Sequence, residues 1–141
     1  MNETITKFGY PATLIAQYKH WVVLLRPAQP TFGSLVLAAK SDVTAFSDLP
    51  AEAHAELKIV TTAIECALRS MVDYSKLNYL MLMMVDPHVH FHVIPRYEGE
   101  RTWSGHTFID AGWPKTPDLA SAIALNDAEM ADLVSVLSSR F

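Results

Sequence analysis

Three of the six histidines in this sequence follow one another at every second position: His88, His90 and His92. In an extended strand, side chains two positions apart lie on the same face. The three imidazole rings are therefore predicted to form a row with roughly 6 to 7 Å between neighbours. In a core, such a row would need three sets of hydrogen-bonding partners. The spacing favours a working surface over a structural role.

A metal site is one chemistry that this row could support. Two histidines at positions i and i+2 can share an ion, but the third would lie roughly 13 Å from the first, too far for one tetrahedral zinc ion. A further ligand would have to come from Asp86 or His106. The spacing therefore disfavours a single metal centre built from the three histidines.

Nucleophilic catalysis is the chemistry that the row favours. A neutral imidazole attacks phosphorus near neutral pH and leaves readily again, so it can split one displacement into two easier ones. His90 is the natural nucleophile, because it has a histidine on each side to donate hydrogen bonds to phosphate oxygens.

Several strands are predicted around the histidines. Residues 21–25 and 34–38 are short apolar runs bounded by proline and glycine, which predict two antiparallel strands, and residues 12–18 predict an edge strand. Residues 76–85 are apolar on both faces and predict a central strand. Residues 88–94 predict the strand that carries the histidines.

The helices and the overall class follow from periodicity and capping. Apolar residues at helical spacing from Leu57 to Met71 predict one long helix, and Asn126 with Glu129 predicts the capping box of a C-terminal helix. Residues 98–117 are rich in glycine and proline and predict an irregular arm. We expect an α+β fold with an antiparallel sheet of about five strands and both helices against one face, as a single domain of residues 1–141.

Composition narrows the classes of partner. The formal net charge of the 141 residues is -4, and no basic run is present, so a polynucleotide partner is not expected. Cys66 is the only cysteine, which excludes an intrachain disulfide and a multi-cysteine zinc site. Without a signal-like or membrane-spanning segment, we expect a soluble cytoplasmic protein with no membrane partner.

The pattern His-φ-His-φ-His-φ-φ, where φ is an apolar residue, is followed by Pro95-Arg96 and resembles the signature of the histidine-triad (HIT) family. Residues 31–36 resemble the family's glycine-containing loop and strand, and residues 48–71 resemble its long helix. The resemblance covers residues 21–97. The Pro-Arg ending is nearer to the fragile-histidine-triad branch, which includes dinucleoside polyphosphate hydrolases.

The resemblance implies a homodimer whose two sheets join across the central strands. It also implies that the protein binds a purine nucleotide in a cleft above the triad and hydrolyses it at the α-phosphorus, and we expect no metal or other cofactor to be required. It implies that His90 is the nucleophile and forms a covalent nucleotidyl-histidine, while His88 and His92 orient and stabilise the phosphoryl group. It also implies that apolar residues such as Leu24 and Leu35 wall the base pocket.

The sequence departs from the family pattern at three places. Asp86 lies where many members have a Gly-Gln-Ser/Thr stretch, and it is either an acid for the leaving group or a turn residue. Ser34 replaces the histidine after the loop glycine, and we expect Ser34 and Asp86 to lie at the nucleotide-binding site. Arg26 replaces the ribose-binding Asn or Asp, and it either meets phosphate or is a turn charge.

The leading hypothesis is a hydrolase of dinucleoside polyphosphates or nucleoside phosphoramidates. A nucleotide-binding or regulatory module with weak catalysis is an alternative, and a metal-binding protein is another.

Overall fold

The structure is a computed structural model that describes residues 1–141, and it contains nine strands and three α-helices. The strands are β1 (Leu14–Gln17), β2 (Trp21–Leu25), β3 (Ala28–Gln29), β4 (Leu35–Ala39), β5 (Lys76–Leu80), β6 (His90–Arg96), β7 (Glu100–Trp103), β8 (His106–Ile109) and β9 (Ile123–Ala124), and the helices are α1 (Glu3–Lys7), α2 (Ala51–Val72) and α3 (Asp127–Ser138). No helix is long and apolar enough to cross a lipid bilayer.

The central sheet has five antiparallel strands in the order β1-β2-β4-β6-β5. Strands β2 and β4 pair along their whole length, from Trp21 opposite Ala39 to Leu25 opposite Leu35. Every residue of both strands is buried, which agrees with their continuous apolar sequences. The predicted α+β class, the five-stranded sheet, the long helix and the C-terminal helix are confirmed.

The main core fills the space between one face of this sheet and helices α2 and α3. Val60, Ile64 and Leu68 recur every fourth residue along α2 and are fully buried against it. Gly33, in the loop before β4, has φ +83, and a Cβ atom there would lie 2.8 Å from a methyl group of Val72. The glycine therefore allows α2 to approach the loop that leads into β4.

The other face of the sheet is covered by α1, which the sequence patterns did not predict. Ile5 of α1 is fully buried against Val22, Leu24, Val36 and Ala38. Burial of a side chain of this size contributes about 1.5 to 3 kcal/mol. The predicted placement of the long helix and the C-terminal helix against one face is confirmed for α2 and α3, and α1 is an additional helix on the other face.

Residues 76–85 do not form one central strand. Strand β5 ends at Leu80 and lies at the edge of the sheet. The chain then leaves the sheet, because Met83 adopts a left-handed conformation with φ 45 and Pro87 has no N–H to donate. As a result, β6 begins at His90, and His88 precedes the strand instead of belonging to it.

The arm after β6 is more regular than predicted. Strands β7 and β8 form a hairpin whose turn residues Ser104 and Gly105 both have positive φ, as tight hairpin turns require. Trp103 stacks on Phe32 with ring centroids 6.4 Å apart. The β7–β8 hairpin therefore packs on the core through Trp103.

An internal ion pair fixes the arm to the end of β6. Nε of Arg96 donates to Asp110 at 2.7 Å, and Nη1 donates to the side-chain oxygen of Asn78 at 2.9 Å. Arg96 and Asp110 are both buried, so their charges compensate each other where water cannot. The Pro-Arg ending of the triad strand therefore has a structural role in this chain.

Candidate active site

The pairing of β4 with β6 determines where two triad histidines point. His92 lies opposite Val36 and His90 lies opposite Ala38, so both rings are on the face that α1 covers. Their ring centroids are 5.2 Å apart, and the ring planes are nearly perpendicular. The alternation predicted for this strand therefore holds for His90 and His92.

A hydrogen bond to the backbone determines which nitrogen of His90 carries the proton. Nδ1 of His90 lies 2.7 Å from the carbonyl oxygen of His88. A carbonyl oxygen only accepts hydrogen bonds, so Nδ1 holds the proton and donates it. In the neutral ring, Nε2 then keeps its lone pair and is free to act as a nucleophile.

His92 is neutral over the ordinary pH range. Burial, together with the smaller effects of the Arg26 and His90 charges, lowers the pKa of His92 to about 4, although Asp86 acts in the opposite direction. The Nδ1 atom of His92 is buried and has no hydrogen-bonding partner. A neutral ring with a free nitrogen can accept or donate one hydrogen bond at a bound group.

Arg26 follows β2 and continues the alternation of Val22 and Leu24. This places Arg26 on the face of the sheet that carries His90 and His92, which we call the triad face. Burial lowers the pKa of Arg26 below its ordinary value. The only hydrogen bond of its guanidinium is a long one of 3.4 Å to the carbonyl oxygen of Ala28, and no carboxylate pairs with it. A partly buried guanidinium without an anionic partner suits a phosphate group.

Leu35 and Ser34, which were expected at the site, lie elsewhere, whereas Leu24 lies on the expected face. Leu35 is fully buried in the main core on the opposite face, because neighbouring residues in a strand point to opposite sides. Leu24 is on the triad face, beneath Ile5. Ser34 is fully buried, and its hydroxyl donates to the carbonyl oxygen of Thr31 at 2.8 Å. The expectations for Leu35 and Ser34 as ligand-binding residues are therefore corrected.

Helix α1 makes two polar contacts with the segment that leads into β6. Lys7 Nζ lies 2.8 Å from Asp86 Oδ1, and Thr4 Oγ1 lies 2.9 Å from Nδ1 of His88. These residues were missed because α1 has only five residues, too few for a hydrophobic period. The available signal was Asn2 as N-cap, followed by an acidic first turn and a basic last turn.

Phe8, directly after α1, also covers the face that carries His90 and His92. The Phe8 ring lies 5.6 Å from the His90 ring and 5.8 Å from the His92 ring, measured between centroids. His90 is only 2% exposed, and none of the five surface cavities is lined by a triad histidine. A substrate therefore reaches His90 only if the N-terminal segment that carries Phe8 moves away from the histidines.

The side chains around the triad do not converge on one metal ion. No group of three His, Cys, Asp or Glu side chains is placed to hold one. Of the two further ligands considered, Asp86 pairs with Lys7, and His106 lies in the arm, 2.5 Å from Glu129. Glu129 also completes the predicted capping box of α3 with Asn126, which is confirmed.

Comparisons with known proteins agree with the fold described above. The fold is similar to that of a histidine triad protein from Sinorhizobium meliloti, with TM-score 0.71, 20% identity, and coverage of 100% of this chain and 96% of that one. A histidine triad protein from Bradyrhizobium japonicum gives TM-score 0.70, 20% identity, and coverage of 99% and 96%. The diadenosine triphosphate hydrolase of Plasmodium falciparum gives TM-score 0.64, 12% identity, and coverage of 92% and 76%.

At these identities the structural similarity shows the fold alone. No curated protein sequence matches the chain significantly. The model of the HIT domain matches residues 9–99, which is more than half of the chain. The chain therefore belongs to the HIT domain family, whose members commonly bind nucleotides and hydrolyse or transfer them.

Proposed function

We propose that this chain is a nucleotidyl hydrolase that cleaves its substrate at the α-phosphorus through a covalent intermediate on His90. The observation that carries the proposal is the hydrogen bond from Nδ1 of His90 to the carbonyl oxygen of His88, which leaves Nε2 unprotonated. Membership of the HIT domain family supports it, and so does the fold shared with a diadenosine triphosphate hydrolase.

The reaction has two displacements at phosphorus. Nε2 of His90 gives its electron pair to the α-phosphorus as the bond to the leaving group breaks, and the leaving atom keeps the electrons of that bond. The ring then carries a positive charge, which the hydrogen bond from Nδ1 to the His88 carbonyl stabilises. Water next attacks the phosphorus, Nε2 recovers its electron pair, one proton passes to solvent and the nucleoside monophosphate leaves.

The charges at the site favour a dinucleoside polyphosphate over a nucleoside phosphoramidate. A polyphosphate leaves as an anion that needs no proton, whereas an amine must gain one. Asp86, the candidate acid, is paired with Lys7 at 2.8 Å. Arg26 has no anionic partner and is available to bind phosphate oxygens.

A purine base would use the apolar part of the triad face. Leu24 and Val36 supply this surface, but Ile5 and Phe8 cover it in the closed structure. We infer that binding moves Phe8 away from His90 and exposes Leu24 to the base.

We also propose that the chain acts as a homodimer that pairs at strand β5. The outer edge of β5 has no partner strand, and the residues that follow it include exposed Leu82, Met84 and Val85. Unpaired backbone groups beside exposed apolar side chains favour pairing with a second copy of the same edge.

The test of the enzymatic proposal is the release of AMP from diadenosine triphosphate and diadenosine tetraphosphate, with an adenosine phosphoramidate in parallel. Intact-mass analysis of quenched samples should show the mass of one adenylyl group on the wild type and none on His90→Ala. His106→Ala is the matched control, because this histidine lies in the arm and bonds to Glu129.

Release of no AMP from any of these substrates would contradict the proposal. Tight binding of AMP in calorimetry without turnover would instead favour a nucleotide-binding module. That alternative is motivated by the missing polar stretch before His88.

A further inference from the structure

The contact between Thr4 and His88 joins residues that are 84 positions apart in the chain. Thr4 Oγ1 lies 2.9 Å from Nδ1 of the His88 ring, and Thr4 is only 2% exposed. The nearby Thr6 hydroxyl donates to the carbonyl oxygen of Asn2 at 3.2 Å. The one partner of the Thr4 hydroxyl is Nδ1 of His88.

The direction of this hydrogen bond follows from the number of available acceptors. If Nδ1 of His88 donated to Thr4, the hydroxyl proton of Thr4 would be buried with no acceptor, at the free-energy cost of a lost hydrogen bond. If Thr4 donates, its proton is satisfied and Nδ1 of His88 is the acceptor. In a neutral ring the single proton is then on Nε2.

We propose that Thr4 is a positioning residue that gives His88 the tautomer needed at the active site. With its proton on Nε2, His88 offers an N–H donor to the phosphoryl oxygens, whereas the other tautomer would present a lone pair to a negative group. This catalytic meaning rests on the proposed hydrolase function, but the tautomer itself does not.

His88 acts on the nucleophile through its backbone and contacts α1 through its ring. The backbone carbonyl of His88 fixes the tautomer of His90, and the ring of His88 is fixed in turn by Thr4. A single chain of hydrogen bonds therefore runs from α1 through His88 to the nucleophile, with a lone pair at Nε2 of His90 and a proton at Nε2 of His88.

Helix α1 holds the Thr4 hydroxyl in a fixed place. The side chain of Asn2 accepts from the N–H of Ile5 at 3.0 Å and donates to the carbonyl oxygens of Ala39 and Ser41, both at 3.0 Å. Ile5, the next residue after Thr4, is fully buried. Asn2 before Thr4 and Ile5 after it are therefore held in place by β4 and the residues that follow it, which limits the positions that the Thr4 hydroxyl can take.

The first test is the tautomer of His88 in solution, measured from two-bond correlations between ring protons and ring nitrogens in NMR spectra. His88→Gln identifies the signals. We expect an unprotonated Nδ1 and a protonated Nε2 for His88 in the wild type and in Thr4→Ser, and a mixture of tautomers in Thr4→Val. A protonated Nδ1 in the wild type would overturn the proposal, whether or not the protein hydrolyses any nucleotide.

The second test is the hydrolysis of diadenosine triphosphate. We expect Thr4→Val to lower kcat by roughly tenfold with little change in KM, because the donor from His88 to the transition state is weakened and not removed, and we expect Thr4→Ser to restore kcat. Thr6→Val is the matched control, since its hydroxyl bonds within α1. Equal losses in Thr4→Val and Thr6→Val would overturn the positioning role, as would an unchanged kcat in Thr4→Val.

Discussion

Lys7 Nζ and Asp86 Oδ1 lie 2.8 Å apart, so an ion pair joins the N-terminal helix to the segment that leads into the triad. The second connection, from Thr4 to His88, lies on the same helix. Asp86 was a candidate acid for the leaving group, but its carboxylate is engaged in this ion pair. Its place in the structure therefore favours an anchoring role.

Asp86→Asn tests that role. Lys7 is 57% exposed, and the pair is therefore expected to contribute no more than about 1 kcal/mol to the free energy of unfolding. Hydrolysis of diadenosine triphosphate should be nearly unchanged, because a polyphosphate leaving group needs no proton from Asp86. Urea unfolding and kcat are the measurements, with Asp42→Asn as a control at an exposed aspartate. A loss in kcat of roughly a hundredfold, the size typical of a lost general acid, would give Asp86 the acid role.

Phe8→Ala tests whether the N-terminal segment limits access to the nucleophile. The ring lies 5.6 Å from His90, which is nearly inaccessible, so its removal should speed the modification of His90 by diethyl pyrocarbonate. The half-buried ring should also contribute about 2 kcal/mol to stability, less than a fully buried phenylalanine. Peptide mass mapping over time measures the modification.

The matched control for this experiment is Phe46→Ala. Phe46 is also half-buried, but its ring packs against His54 and Phe91 on the other side of the sheet. An equal increase in the modification of His90 in both variants would indicate general loosening of the fold and would contradict the role given to Phe8.

Arg26→Met tests the binding of phosphate on the triad face. Arg26 has no anionic partner, and its loss should raise KM for diadenosine triphosphate by roughly tenfold, equivalent to about 1.4 kcal/mol of binding. KM for a phosphoramidate with an uncharged leaving group should change less. Arg140→Met, which removes an exposed arginine that bonds to Ser70, is the control. Equal changes in KM for both substrates would mean that Arg26 does not meet the leaving phosphate.

Much of this site follows from period-two alternation and turn residues. Alternation placed His90 and His92 on one face. Leu24 pairs with Val36, and Leu35 pairs with Leu25, so alternation puts Leu24 and Leu35 on opposite faces of the sheet. The early end of β5 was not predictable, because residues 81–85 are as apolar as a strand and the left-handed conformation of Met83 has no sequence signal. The partner of His88 was equally hidden, since Thr4 is brought to it only by the folded chain.

The pH dependence of stability should report the neutral state of His92. Its folded-state pKa of about 4 is below its ordinary value of 6.5, so the unfolded chain binds more protons between these values. The stabilising effect of a neutral His92 is therefore complete above pH 6.5 and is lost as the pH falls towards 4. Urea unfolding across this window should show a slope that His92→Gln reduces and that His54→Gln leaves in place. A slope that is the same in His92→Gln would contradict this assignment.

Met84→Asp tests the proposed homodimer. Met84 is 83% exposed in the segment that follows the unpaired edge of β5, so a charge there should disrupt pairing between two copies without disturbing the core. Light scattering should give the mass of a dimer for the wild type and of a monomer for the variant. Ile109→Asp is the matched control, because this isoleucine is also exposed but lies on the β8 hairpin strand. A dimer that survives in Met84→Asp but dissociates in Ile109→Asp would move the interface from the edge of β5 to the arm.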